Sequence, residues 1–282
     1  MHSPITAGLP SQTAVAPALP PRVVDNRRRL VWAAATVLVT ALLIYSWINT
    51  GGSLTELWHG LFSHNGLFPK FIPASVPPTA GQFWPGLKAA AVTFEIAVLS
   101  IFFGVILSLA MLPLAARNIT PSRPLFELAR FIQAVLRAIP ELIMLLMFNV
   151  VLGFSPFSTV LALTLHGIGV KGKLFAEAVE EMDMSPVDAL RVAGAGRIQV
   201  FLHAVLPGVR STLVGLTLYR LDANFRSAVT LGAVGGGGIG YLIDNQLNIF
   251  QFKDVTAYLI VLVVVVLAVE RVSTVLRARL AG

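Results

Sequence analysis

"EAVEEMDMSPVDALRVAGAGRIQVFLHAVLPGV", residues 177–209, is the stretch whose reading decides the fold. It lies between two strongly apolar segments yet is itself amphipathic, too long for a hairpin connection and too regularly patterned for a linker. Ser185-Pro186 opens a helix, with proline in the first turn and Asp188 placing negative charge near the positive end of the helix dipole. Gly194 and Gly196 end it. A second apolar-periodic run, Ile198, Phe201, Leu202 and Val205, closes at Leu206-Pro207. The spacing predicts two short helices joined by a glycine turn, lying across a membrane surface and free to dock into something.

The membrane follows from composition. Of 282 residues, 56% are hydrophobic and 12% charged, against about 25% charged in a soluble domain, and the mean hydropathy is +0.78. Apolar segments long enough to cross roughly 30 Å of hydrocarbon lie near 30–48, 86–115, 129–152, 157–171, 212–234 and 255–276, the fourth being short. The expected fold is therefore an all-α integral membrane protein of about six spans, with a transmembrane body over 27–282 and a loop over 173–210. Residues 1–26, rich in Pro and Ala and without apolar period, read as a disordered cytoplasmic tail. With no cysteine, a disulfide framework and a thiolate metal site are both excluded.

Charge orients the bundle. Arg27, Arg28 and Arg29 precede the first span; a twin-arginine export signal is the rival reading, but the apolar stretch that follows is too long and lacks a small-residue cleavage site. Arg117, Arg123 and Arg130 fall after the second span, Lys171, Lys173, Arg191, Arg197 and Arg210 after the fourth, and Arg271, Arg277 and Arg279 at the end. With six spans all share one side, which predicts both termini in the cytoplasm. The net charge of +7 is thereby accounted for without a nucleic-acid partner. The outer segment 49–85, with five prolines from Pro69 to Pro85, reads as a structured loop with one interfacial helix.

"RLDANFRSAVTLGAVGGGGIG", residues 220–240, puts two arginines and an aspartate inside a span. Each costs roughly 2.5–3.5 kcal/mol at a membrane centre. They must face protein or water. At 100° per residue Arg220, Asn224 and Ser227 share a face, with Thr217 at its edge, while Asp222 and Arg226 lie opposite. Asp222 and Arg226, four residues apart, read as a structural ion pair. Arg220 has no acid at helical spacing, which leaves it for a pathway where its planar fork suits an oxyanion. Gly235, Gly236, Gly237 and Gly238 read either as an outer turn or as a hinge that gates the outer mouth. Arg137 and Glu141, flanking Pro140, read as a second structural pair. Glu95 has no local partner. His59, His64, His166 and His203 are not placed as metal ligands.

Other motifs carry less. "GIGVKGKL", residues 167–174, approaches a phosphate-binding loop, but Leu174 stands where Ser or Thr must reach magnesium and no strand precedes it. Gly235, Gly237 and Gly240 have dinucleotide-fingerprint spacing without a βαβ unit. No HExxH or G-x-S-x-G occurs, so a membrane enzyme is disfavoured. A proton-coupled transporter, with Glu95, Glu141 or Asp222 as relay, is the main rival by residues alone.

Asp188-Ala189-Leu190, then Gly194, then Leu206-Pro207, resembles the coupling-helix signature of ABC importer permeases, usually Glu-Ala-Ala, a glycine and a later Leu-Pro. Asp188 replaces the usual Glu, and Ala204 stands where Ile is common. The segment from Leu218 to Gly240 resembles the phosphonate-type permeases. The resemblance implies type I importer architecture in a bacterial inner membrane. It also implies a second permease copy, two ATPase subunits holding ATP and magnesium, and an extracytoplasmic substrate-binding protein. Asp188, Ala189, Gly194, Leu206 and Pro207 would couple to the ATPase. This chain would bind no cofactor and catalyse no reaction.

Overall fold

The computed structural model describes residues 26–63 and 67–280, so the sequence reading of residues 1–25, and His64, lie outside the described residues. All regular structure among the described residues is helical. The chain divides into two units, the first ending at Gly66 and the second running from Leu67.

In the first unit, α1 (Asn26–Asn49) is an apolar span and α2 (Leu54–Phe62) a short amphipathic helix. Ser53 caps α2, its hydroxyl accepting the Glu56 N–H at 3.1 Å.

The second unit runs through α3 (Leu67–Ser75), a 3₁₀ turn at Ala80–Gln82, α4 (Phe83–Ala115), α5 (Arg123–Ala138), α6 (Glu141–Leu152) and α7 (Pro156–Glu180). It continues through α8 (Ser185–Val192), α9 (Arg197–Val200), α10 (Leu206–Leu231), α11 (Gly238–Asn248) and α12 (Phe252–Leu280). The outer segment 49–85 thus holds two short helices and a turn rather than one interfacial helix.

Among the described residues four helices are long and apolar enough to cross a membrane, five if α5 and α6 form one bent span. The segment expected as one span at 129–152 is broken, with α5 and α6 meeting at 85°. Pro140 explains the break: it offers no N–H, and it pushes Ile139 out of the helical region to φ −80, ψ 120. No ion pair joins Arg137 to Glu141, because their four-residue spacing crosses this bend instead of following one helix.

The fourth segment is longer than its apolar run. Ser155 caps α7, which continues past Lys171 to Glu180, a length of 25 residues. α7 is polar for a span because it is the central helix, packed on α4, α5, α6 and α10 and screened from lipid by them. Small residues make this closeness possible. The buried face of α4 carries Ala90, Thr93, Ala97, Ser100, Gly104 and Ser108. On α7, a Cβ at Gly169 would stand 2.6 Å from the Arg137 nitrogen, and one at Gly172 would stand 2.6 Å from the Gln133 amide nitrogen. Gly169 and Gly172 of "GIGVKGKL" therefore serve the seating of α5 on α7.

The second helix of the surface loop also differs from expectation. It does not end at Leu206-Pro207 but runs on from Arg197, through a π-helical turn at Phe201–Val205, into α10 as far as Leu231. Pro207 cannot donate to a carbonyl four residues back, and the widened turn before it makes room for the ring. The core at the α8 end of the spans gathers Leu112 and Ala115 of α4, Phe175 and Val179 of α7, Val187 of α8 and Val205. Val187 is fully buried, which fixes α8 to the ends of the spans.

Candidate functional site

The first candidate element is α8 with its flanking turns. Asp183 accepts the Ser185 N–H at 3.0 Å and the Ser185 hydroxyl at 2.7 Å. These two hydrogen bonds hold its carboxyl below the ordinary aspartate range. Asp188 is exposed and pairs with Arg191 at 3.2 Å. Ala189 is exposed, as are Val192 and, on the next helix, Ile198. Gly194 adopts φ +82 and ends α8: its N–H reaches Arg191 O and the Ala195 N–H reaches Leu190 O, both at 3.0 Å. Leu206 and Pro207 lie at the start of α10, where Leu206 packs on the core at the α8 end of the spans.

This element is tied to the spans by a polar bracket. Glu180, at the end of α7, accepts the Arg117 N–H at 2.8 Å and an Arg130 guanidinium nitrogen at 2.7 Å. The Asn118 amide donates to Val179 O at 2.7 Å, and Arg191 donates to Asn118 O at 3.4 Å. The α4–α5 turn, the end of α7 and α8 are thereby one mechanical piece, with the outer face of α8 left exposed.

The second element is inside the bundle. Arg220 is half-buried; one of its terminal nitrogens donates to Asn224 Oδ1 at 3.3 Å, while its Nε has no partner. Asn224, fully buried, donates to Ser100 Oγ of α4 at 3.0 Å. The acid within electrostatic range of Arg220 is Glu141 at the start of α6, beyond ion-pair distance. Thr217 and Ser227, expected on the same face, do not bond to this group. The Thr217 hydroxyl donates to Leu213 O at 2.7 Å, and its side chain lines an apolar cleft of about 430 Å3 with Val105, Leu109 and Arg210.

On the opposite face Arg226 donates to Asp222, whose side chain is 10% exposed against 57% for Arg226. The second carboxylate oxygen of Asp222 has no partner. Glu95 is exposed and His166 meets Ile139 O at the α5–α6 break. Among the described residues no group of acids and histidines could hold a metal.

Sequence reasoning misplaced Lys171. Its place among the basic residues after the fourth span predicts the cytoplasmic surface; instead it lies within α7, fully buried, with no hydrogen-bond partner for its Nζ. The available signal was helical. From Ser155-Pro156 to Glu180 the pattern contains no stop, so the last apolar residue of the run was not the last residue of the helix.

The glycine run is a crossing with no slack. Gly235, Gly237 and Gly238 have φ of +91, +82 and +72. Thr159 of α7 donates to Gly236 O at 3.0 Å, and Thr93 of α4 accepts the Ile239 N–H at 3.0 Å. A Cβ at Gly240 would stand 1.9 Å from Val229 O. The run turns the end of α10 back on itself and pins α11 against it.

Residues 100–282 match the model of the binding-protein-dependent transport system inner membrane component family. This chain belongs to that family. The permease is 39% identical over 203 residues to the phosphite transport system permease protein PtxC of Stutzerimonas stutzeri, covering 72% of this chain and 74% of that one. It is 38% identical over 224 residues to the phosphate-import permease protein PhnE of Mycolicibacterium smegmatis, covering 79% of this chain and 42% of that protein. Its fold matches a chain of the inward-facing MetNI methionine ABC transporter at a TM-score of 0.64 and 20% identity, over 72% of this chain and all of that one. The permease is thus an ABC importer transmembrane subunit, a transport component and not an enzyme, of an inner-membrane family.

Proposed function

We propose that this permease carries a small phosphorus oxyanion, phosphite or a phosphonate, through the membrane on energy supplied by separate ATPase subunits. The observation that carries the substrate class is Arg220: a guanidinium held inside the bundle, bonded to a neutral Asn224 and to no carboxylate. A fixed cation in a low-dielectric bundle favours anions, and its fork matches the oxygens of a tetrahedral oxyanion. The names of PtxC and PhnE point the same way.

Two copies of the permease form the pathway, each contributing one α8. The exposed face of α8, with Asp188, Ala189 and Val192, seats on an ATPase subunit that binds ATP and magnesium. Because the Glu180 bracket joins α8 to α4, α5 and α7, closure of the ATPase pair moves these helices as a rigid body and switches the pathway between its inward and outward openings. An external binding protein delivers substrate, and both termini lie in the cytoplasm. The permease site needs only weak affinity, since tight retention would slow release.

The test is ATP-dependent uptake of phosphite, methylphosphonate, phosphate and sulfate into vesicles holding the assembled transporter and its binding protein. Phosphite or methylphosphonate uptake is expected to persist with a protonophore present and to fall at least tenfold in Arg220→Ala at normal assembly. Uptake abolished by the protonophore at constant ATP would overturn the ATP-driven reading. Wild-type uptake in Arg220→Ala would remove Arg220 from the pathway.

A further inference from the structure

Lys171 is among the largest fully buried side chains of the described residues, and its ammonium has no acceptor. It occupies a slot cleared by glycine on two helices: a Cβ at Gly104 of α4 would stand 2.2 Å from Nζ, and one at Gly167 would stand 2.9 Å from it. By helix rise it sits about 14 Å from the cytoplasmic end of α7, inside the spanning part of the bundle.

Its surroundings lack a counter-charge. The neighbouring charge it feels is the like charge of Arg220. Gly104 is one helical turn from Ser100 on the same buried face of α4, and Ser100 is the hydroxyl that receives Asn224, the partner of Arg220. One more turn along that face is Ser108, whose buried hydroxyl has no partner, and Thr164 of α7 is orphaned in the same way. Two cations and several unused hydroxyls therefore converge between α4, α7 and α10. No carboxylate lies within ion-pair distance of either cation. A buried, unpaired cation is costly, and removing its charge should stabilise the resting bundle unless something else compensates it.

We propose that Lys171 and Arg220 together form an occluded oxyanion site inside each permease copy, the transported anion being their missing counter-charge. This rests on the oxyanion reading above and adds the second cation and the enclosing helices. In the conformation described the slot is closed. The anion reaches it when α10 parts from α7, and the paired cations draw the helices together again around it. The site thus links substrate occupancy to the movement that α8 transmits.

The test uses the full chain in complex with its ATPase, purified in detergent, and follows thermal unfolding during titration with phosphite, with chloride as the control anion. Wild type is expected to gain stability with phosphite and not with chloride. Lys171→Met, close in length and uncharged, is expected to be at least as stable as wild type without anion. It should lose at least tenfold in apparent phosphite affinity, equivalent to about 1.4 kcal/mol. Gly104→Ala keeps the charge but crowds the ammonium from its slot, and is expected to weaken the phosphite response while leaving a folded complex. If Lys171→Met is markedly less stable without anion, or either folded variant responds to phosphite as wild type does, the lysine is structural and the site is overturned. Oxyanion uptake by the wild-type transporter would still stand in that case. A wild-type transporter that takes up none of the oxyanions would overturn both readings.

Discussion

Gly240→Ala tests whether the glycine crossing is a locked joint. In the structure the added methyl would lie 1.9 Å from the Val229 carbonyl oxygen and 3.0 Å from the Ala233 nitrogen. Carbon contacts become favourable only near 3.5 Å, so α11 would have to retreat by about 1.5 Å. Both obstructing atoms are backbone of the α10 end, so no side-chain rotation relieves the clash. Retreat also pulls the Ile239 N–H from Thr93, a buried bond of 3.0 Å. Overpacking of this kind costs about 1–3 kcal/mol, and a buried donor left unsatisfied about 1–3 kcal/mol more. Gly240→Ala is therefore expected to lose roughly 3–5 kcal/mol. Gly215→Ala is the control: it sits in α10, the helix whose end Gly240 packs against, and its Cβ would meet nothing within 4 Å. There alanine should gain up to about 1 kcal/mol from helix propensity alone. Denaturant unfolding of the two variants in the same detergent compares them. A Gly240→Ala protein within about 0.5 kcal/mol of wild type, a difference ordinary for surface substitutions, would refute the locked crossing.

Two further outcomes follow from the charged groups. Arg226→Ala should destabilise by about 1–3 kcal/mol, less than a fully buried pair because Arg226 is 57% exposed. The double variant Asp222→Asn with Arg226→Gln should recover most of that loss, and strictly additive effects in the double-mutant cycle would sink the pairing. Asp183 sets an acid-side limit on α8. Its carboxyl is held low in the folded state by Ser185. Its contribution is therefore complete above the ordinary aspartate value of about 3.9 and is lost as pH falls through the lower folded value. Hydrogen exchange of the α8 amides should accelerate below about pH 4 in wild type beyond the intrinsic pH effect, and Asp183→Asn should flatten that response. Identical profiles for the two proteins would count against the cap.

The sequence by itself determined the features whose causes are local. Apolar runs identified a membrane protein because transfer of about 20 residues into hydrocarbon depends on composition and not on partners. Gly194 ended α8 because a positive φ is a property of one residue. Asp222 and Arg226 came together because four-residue spacing along one unbroken helix is a fixed distance. The same arithmetic failed for Arg137 and Glu141, since Pro140 lies between them and bends the chain.

Tertiary structure decided the rest. Lys171 read as a surface charge in every local window, and only Gly104 on a distant helix makes the space that buries it. Asn224 reads as one more polar residue on a stripe until Ser100, 124 positions earlier, receives its amide. The glycine run could be slack or locked on sequence grounds. Thr93 and Thr159, from two other helices, close it. In each case the deciding term is a contact between segments far apart in the chain, formed by packing small residues against one another in the bundle. Local propensity and periodicity do not encode which small residue faces which long one.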